Sequence, residues 1–301
     1  MASLAQALVE TGEKGHSPWS DARVRFCKNR QGLVGLALMG FVLAFAIFGS
    51  FAAHWPIDKI DFQVMGDVAR EGGPSLTNGH FFGTDELGRD LFARTILGIR
   101  ISLAVGLVGT LIAVIVGTVY GAASGYAGGR VDNIMMRAVD ILLSIPSMFV
   151  LILLLVMFGH SIILLFIGIG LLSWLDMSRI VRGQTLSLKQ REYIEAARAS
   201  GVPAQTIIRR HIVPNLLSIV IVYATLLVPG MILAESFISF LGLGVQEPLT
   251  SLGALISQGA ATMNYGTLWQ LLFPLFFFIV TLFAFFFLGD GLRDALDPKD
   301  R

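Results

Sequence analysis

The residues in this chain that invite a chemical reading form a polar stretch between long apolar runs. It comprises Glu195-Ala196-Ala197-Arg198, Gly201, Pro203 and then Arg209-Arg210-His211-Ile212-Val213-Pro214. Helix formers dominate residues 184–200, Gly201 suits the left-handed conformation that caps a helix, and Pro203 stands where a helix cannot continue. A second helix is expected to start at Pro203 or Ala204 and to run into the next apolar run at Pro214. Two short helices at a right-angle turn make a projecting knob. Ala196, Ala197 and Ala199 keep one side slim, so a partner's groove can approach the backbone, and Glu195 offers a carboxylate there. This is the chemistry of docking. The alternative is a solvated loop with an accidental Gly-x-Pro turn.

Residue sets that make or break bonds are missing. The sequence has no Gly-Lys dipeptide, and hence no Walker A loop to cradle phosphates. It has no His-Glu-x-x-His pair, and its five histidines are scattered, which disfavours an intramembrane metalloprotease. The single cysteine, Cys27, excludes an intrachain disulfide and reads as an ordinary buried or interfacial thiol.

The elements that must position the knob emerge from composition. Apolar residues make up 54% of the 301 residues and charged ones 14%, far from a soluble domain and typical of an integral membrane protein. The net charge of +1 supplies no overall field toward nucleic acid. A bilayer core of about 30 Å needs about 20 apolar helical residues. Charge-free runs of that size occur at 33–53, 101–127, 141–159 and 268–289. Residues 212–234 make a fifth span that tolerates Pro214 at its mouth and Pro229 inside. Residues 161–175 make a sixth, running into 176–178, if Gly159-His160 forms a tight hairpin.

Six spans put both termini on one side. That arrangement leaves 17 of the 22 basic residues inside and five outside: Lys59, Arg70, Arg89, Arg94 and Arg100. By the positive-inside rule the termini and the 179–210 segment are cytoplasmic. The N-terminus lacks a short apolar core with a cleavage site, so the first span is expected to stay as an anchor. In the outer segment 54–100, Leu87, Leu91, Phe92, Thr95, Ile96 and Ile99 fall at helical spacing around Arg89, Arg94 and Arg100. That pattern predicts an amphipathic helix at the interface with snorkelling arginines. Residues 242–267 hold no Lys or Arg and could line a vestibule, meet a partner or simply connect. Gly106, Gly109, Gly117 and Gly121 are expected to let helices pack closely, including across a subunit interface.

The knob carries a resemblance. Glu195-Ala196-Ala197, three residues, Gly201, nine residues, then His211-Ile212-Val213-Pro214 resembles the EAA loop of permease subunits of bacterial ATP-binding-cassette importers. The family usually has Ile where His211 stands and Leu where Val213 stands. Phe82-Gly83-Thr84-Asp85, Gly88-Arg89-Asp90 and Gly98, Arg100, Ser102, Leu103 resemble the dipeptide, oligopeptide and nickel branch. So do Glu235-Ser236-Phe237, Ser239 to Gly244 and Glu247-Pro248. Ser173-Trp174-Leu175-Asp176-Met177, Ile180 to Thr185 and the ending Gly289 to Pro298 are similar to C-type subunits of Gram-negative oligopeptide permeases.

The resemblance implies an all-α membrane protein of six transmembrane helices with a cytoplasmic coupling helix, the type I importer permease fold. It implies a cytoplasmic tail (1–32), a first span (33–53) and a periplasmic loop (54–100). A five-helix core (101–290) then includes the coupling loop (179–214), and a cytoplasmic tail completes the chain (291–301). The implied partners are a homologous second permease subunit, two cytoplasmic ATPase subunits that bind ATP and Mg, and a periplasmic peptide-binding protein in the bacterial inner membrane. Membrane lipid surrounds the assembly, no nucleic acid takes part, and the chain itself holds no cofactor, metal or catalytic residue. In that family the loop seats in the ATPase, which gives Glu195, Ala196, Ala197, Arg198, Gly201 and Pro214 a coupling role.

A charge at mid-membrane costs about 2.5–3.5 kcal/mol and usually has a reason. Glu235, deepest of the carboxylates, with Ser236 beside it, is the candidate to meet a peptide amino terminus or line the path; a purely structural carboxylate is the alternative. Asp140 and Asp176 read as carboxylates solvated at the cytoplasmic ends or bonded between helices. Dipeptides or nickel chelates are alternative cargo. An ATP-independent channel or secondary transporter is the competing class, and it would have no use for the knob.

Overall fold

The structure, a computed structural model, describes residues 18–296. Lys14, Asp297, Pro298, Lys299 and Arg301, and with them most of the expected N-terminal tail and the end of the C-terminal one, lie outside the described residues. Among these residues the secondary structure is helical, with two isolated β-bridges, Ile60 to Arg89 and Thr84 to Asp90.

The helices are α1 (Pro18–Lys28), α2 (Arg30–Ala52), the single turn α3 (Val68–Glu71), α4 (Leu91–Ala127), α5 (Gly129–Leu143) and α6 (Ser147–Phe158). Then come α7 (Ile162–Lys189), α8 (Glu192–Ala199), α9 (Ala204–Ile207), α10 (Val213–Phe240), α11 (Leu252–Thr262) and α12 (Trp269–Leu296). Five helices are long and apolar enough to cross a membrane: α2, α4, α7, the unit α9 to α10, and α12. A sixth exists if α5 and α6, bent by 72° at their junction, count as one span. The chain is therefore a multi-pass membrane protein. Large apolar side chains stand exposed along these helices, Phe48, Val119 and Ile134 among them, a surface that water would not tolerate over such an extent.

Three expectations about the spans change. The run 141–159 is no single span, because Pro146 cannot continue α5 and the residue before it is pushed out of the helical region. The next helix, α6, has 12 residues, about 18 Å of helix, too short to cross alone. Gly159, at φ +91°, does separate α6 from α7 where the hairpin is expected. The predicted interfacial helix is instead the start of α4, 37 residues or about 55 Å long. The expected boundary between 100 and 101 falls inside it. Its arginines do not snorkel: Arg89 and Arg94 are buried in protein, and Arg100 donates to Ala46 O at 2.6 Å and Ser50 Oγ at 2.7 Å on α2. Helical spacing reports a face but not what covers it. The 184–200 helix also divides, at Gln190-Arg191, into the end of α7 and α8. Cys27 is exposed.

Close backbone approach holds the spans together, as expected where lipid removes the hydrophobic drive between helices. A Cβ added at Gly121 of α4 would stand 2.3 Å from Ser178 O of α7, and one at Gly117 would stand 2.6 Å from Met177 Cβ. Gly106 and Gly109 face α10 at Ile232, Val228 and Met231. Neighbours in the same chain thus close off all four glycines, and packing across a subunit interface does not use them. The α2–α12 crossing works the same way at Gly32 and Gly291, and Asn29, which caps α2 by accepting from Gly32 N, donates to Asp294 at 2.8 Å. The segment 242–267 is more than a connector, since α11 within it is capped by Ser251 and packs on α4, α10 and α12.

Candidate functional site

The knob is built on apolar feet. Ile194 of α8, Ile207 of α9 and Ile212 after it are fully buried and join Ala122, Met177, Val181 and Leu216 in one cluster. The opposite side of α8 is bare: Glu192, Glu195, Ala196, Arg198, Ala199 and Ser200 are exposed, and Ala197 is half-buried. Gly201, at φ +76°, ends α8. Its N–H bonds Arg198 O at 3.1 Å, while the Val202 N–H bonds Ala197 O at 3.1 Å. That pair of bonds is a Schellman cap, with Val202 and Ala197 both packed against the cluster.

The second arm enters the span without a break. Residues Ile208–Ile212 form a π-helical turn between α9 and α10. Pro214 has no N–H to offer the preceding turn, and a wider turn absorbs the lost bond. His211 sits in that turn, its ring 6.5 Å from Tyr193 of α8, and its carbonyl accepts from Asn215 Nδ2 at 2.6 Å. A push on α8 therefore passes through two hydrogen-bonded turns into α10. Beneath the knob, Arg182 of α7 grips Asp132 of α5 bidentately at 2.7 and 2.6 Å, and Ser124 of α4 donates to the same carboxylate at 2.6 Å.

The opposite end of the bundle holds a polar clasp. Arg89 donates through Nε to Asp85 at 2.7 Å and through Nη2 to Glu247 at 2.7 Å. Arg94, wholly buried, lies 3.3 Å from Asp85 and 3.5 Å from both Glu247 and Gln258. Gln270 and Trp269 of α12 donate to Thr84 O at 2.9 and 3.2 Å. His80 lies between Asp90 at 2.9 Å and Asp61 at 3.5 Å. The Arg89 hydrogen bond holds the Glu247 carboxyl below the usual carboxylate range against a smaller opposing effect of burial. Burial works against the Arg89 charge, yet the two carboxylates outweigh it and raise its pKa. Burial pushes Asp90 up, and His80 partly offsets this. A cavity of about 150 Å³ lies at the clasp, lined by Asp85, Arg89, Glu247, Leu255, Gln258 and Gln270.

Glu235 belongs to this end and is wholly enclosed. It accepts from Ser239 Oγ at 2.6 Å, Ser102 Oγ at 3.2 Å and Ser236 Oγ at 3.3 Å. Ser251, the cap of α11, donates to Ser239 Oγ at 3.2 Å, and Leu252 N donates to Ser102 Oγ at 3.2 Å. One carboxylate thus ties α4, α10 and α11 together.

The structure gathers Glu195, Ala196, Ala197, Arg198 and Gly201 on one projecting surface, with Pro214 exposed where the knob joins α10. Glu235 and Ser236 lie away from that surface, inside the bundle. Asp140 pairs with Arg179 across helices. The clasp is what sequence reasoning missed. Its signal was present in the spacing of Asp85, Arg89 and Arg94, a carboxylate ahead of two cations at a helical start, but the partner Glu247 lies 158 residues from Arg89.

A multi-pass helical bundle with a polar knob rigidly joined to a span is the class of protein these features define. The chain belongs to the family of binding-protein-dependent transport system inner membrane components, whose pattern matches residues 109–301. Residues 17–68 match the N-terminal TM domain of oligopeptide transport permease C. The chain is 55% identical over 288 residues to the oligopeptide transport system permease protein OppC of Escherichia coli, covering 96% of this chain and 93% of that protein. It is 51% identical to the protein of that name from Haemophilus influenzae, over 99% of this chain and 94% of the relative. It is 43% identical to the dipeptide transport system permease protein DppC of Bacillus subtilis, over 93% of this chain and 86% of the relative.

Proposed function

We propose that this chain is the C-type membrane subunit of an ATP-driven importer that carries oligopeptides from periplasm to cytoplasm. Its partners are a homologous second permease subunit, two ATPase subunits that bind ATP and Mg, and a periplasmic peptide-binding protein. It lies in the bacterial inner membrane with both termini and the knob in the cytoplasm and the clasp toward the periplasm. The chain holds no cofactor and performs no chemistry of its own. The 55% and 51% identity to the oligopeptide permease proteins of Escherichia coli and Haemophilus influenzae favours the longer cargo.

The observation that carries the reading is the exposed face of α8 on a buried apolar base, continuous through two hydrogen-bonded turns with α10. A face of Glu195, Ala196 and Arg198 stands exposed, with Ala197 half-buried at its edge, and suits a groove on another protein. When ATP draws the ATPase subunits together, the knob moves with them and α10 tilts. Because the clasp joins the start of α4 to the chain between α10 and α12, that tilt strains the clasp, and its parting opens the path to the periplasm. A channel that worked without ATP would have no use for this joint.

Reconstitution tests the reading. Gly201→Asp and Glu195→Arg are each expected to leave the membrane subunits assembled while reducing peptide uptake per ATP by tenfold or more. Normal coupled transport by both variants, with normal ATPase binding, would sink it.

A further inference from the structure

Resting on the peptide-importer reading, we propose that Asp176 is a substrate-contact residue that receives the protonated amino terminus of the peptide in transit. The break between α5 and α6 opens a cavity of about 310 Å³, walled by Leu142, Ile145 and Pro146 at the bend and by Leu172 and Ser173 of α7. That volume is at the lower end of the roughly 300–1,000 Å³ of ligand sites. Asp176 is the charged group among its lining residues.

Asp176 makes no hydrogen bond or ion pair among the described residues. The other carboxylates toward this end are satisfied: Asp132 by Arg182 and Ser124, and Asp140 by Arg179. Arg179, three residues along the same helix, is already spent on Asp140, so no cation among the described residues neutralises Asp176. Asp176 is exposed, so its carboxylate is open to a ligand that enters the cavity. The walls are mainly aliphatic, with Ser147 and Ser173 among them, so they would accept varied side chains while the carboxylate holds the amino-terminal cation that unblocked peptides share. A primary ammonium, compact and with three N–H donors, fits that chemistry. Glu235, the carboxylate the sequence singles out for this task, is enclosed and fully bonded.

The test uses the complete importer in proteoliposomes with trialanine, a peptide whose amino terminus is its only cation. Asp176→Asn is expected to lower uptake per ATP about tenfold, with ATPase rate and subunit co-purification unchanged, and Asp176→Glu to restore uptake to within about threefold. Unchanged uptake by Asp176→Asn overturns the proposal. So does loss of the second membrane subunit from that variant, which would make Asp176 an interface residue, or failure of Asp176→Glu to restore uptake. If the unmodified complex takes up no peptide, the importer reading falls, and this inference with it.

Discussion

At the clasp end of the bundle Arg89 and Arg94 are buried and tied to Asp85 and Glu247, whereas at the knob end Arg198, Arg209 and Arg210 stand in solvent with no ion pair among the described residues. The same side chain serves opposite ends in two ways. Buried, it closes one end against its own chain; exposed on apolar feet, it leaves the other end for a partner. The carboxylates of the clasp are matched by cations of the same chain, although Nε and Nη1 of Arg94 make no hydrogen bond among the described residues, so that end is held largely by its own groups. The knob takes its place from Ile194, Ile207 and Ile212, and the bonds its polar face would make must come from outside.

The sharpest way to break this contrast is Arg94→Ala. Removing Arg94 empties a buried site and leaves Asp85 and Glu247 with Arg89 alone, a cost of about 3 kcal/mol, at the lower end for breaking a buried ion pair. A large fall in the thermal midpoint of the detergent-purified protein is expected; a loss below about 1 kcal/mol would mean the clasp is solvated. Next comes Glu235→Gln, which keeps the shape but turns one acceptor into a donor facing serine hydroxyls. Its expected cost is about 2 kcal/mol, read from the same midpoint. Gly201→Ala places a Cβ at positive φ and is expected to cost about 1 kcal/mol, with a larger loss in uptake per ATP than in stability.

The pH dependence separates the ends further. Because Arg89 depresses the pKa of Glu247, the pair's contribution is present above the ordinary carboxylate pKa and disappears as pH falls through the lower folded value. The difference in midpoint between the protein and Glu247→Gln should hold from about pH 8 to 5 and shrink as pH falls below the ordinary Glu value of about 4.3. It will be modest, since Glu247 is 48% exposed. Smallest in folding is Glu195→Arg, an exposed change expected to stay within about 0.5 kcal/mol. Its effect should appear in uptake per ATP, with any weakening of ATPase binding read by co-purification.

Much of this molecule is legible in the sequence, for reasons of local chemistry. About twenty apolar residues cross a bilayer whatever surrounds them, so 33–53 and 268–289 are readable directly. Gly201 and Pro203 mark the bend of the knob because φ and the missing N–H are properties of those residues themselves. Pro146 carries the same kind of signal, yet it stands inside a charge-free run of 19 residues that suggests an unbroken span. The tertiary structure alone decided the fate of the charges. Whether Arg94 snorkels or is buried, and whether Glu235 faces a path or a cage of serines, depends in part on Gln258 and Ser102, each more than a hundred residues away. Periodicity along one helix holds no information about them, since the cost of burying a charge is offset by groups that only folding brings near.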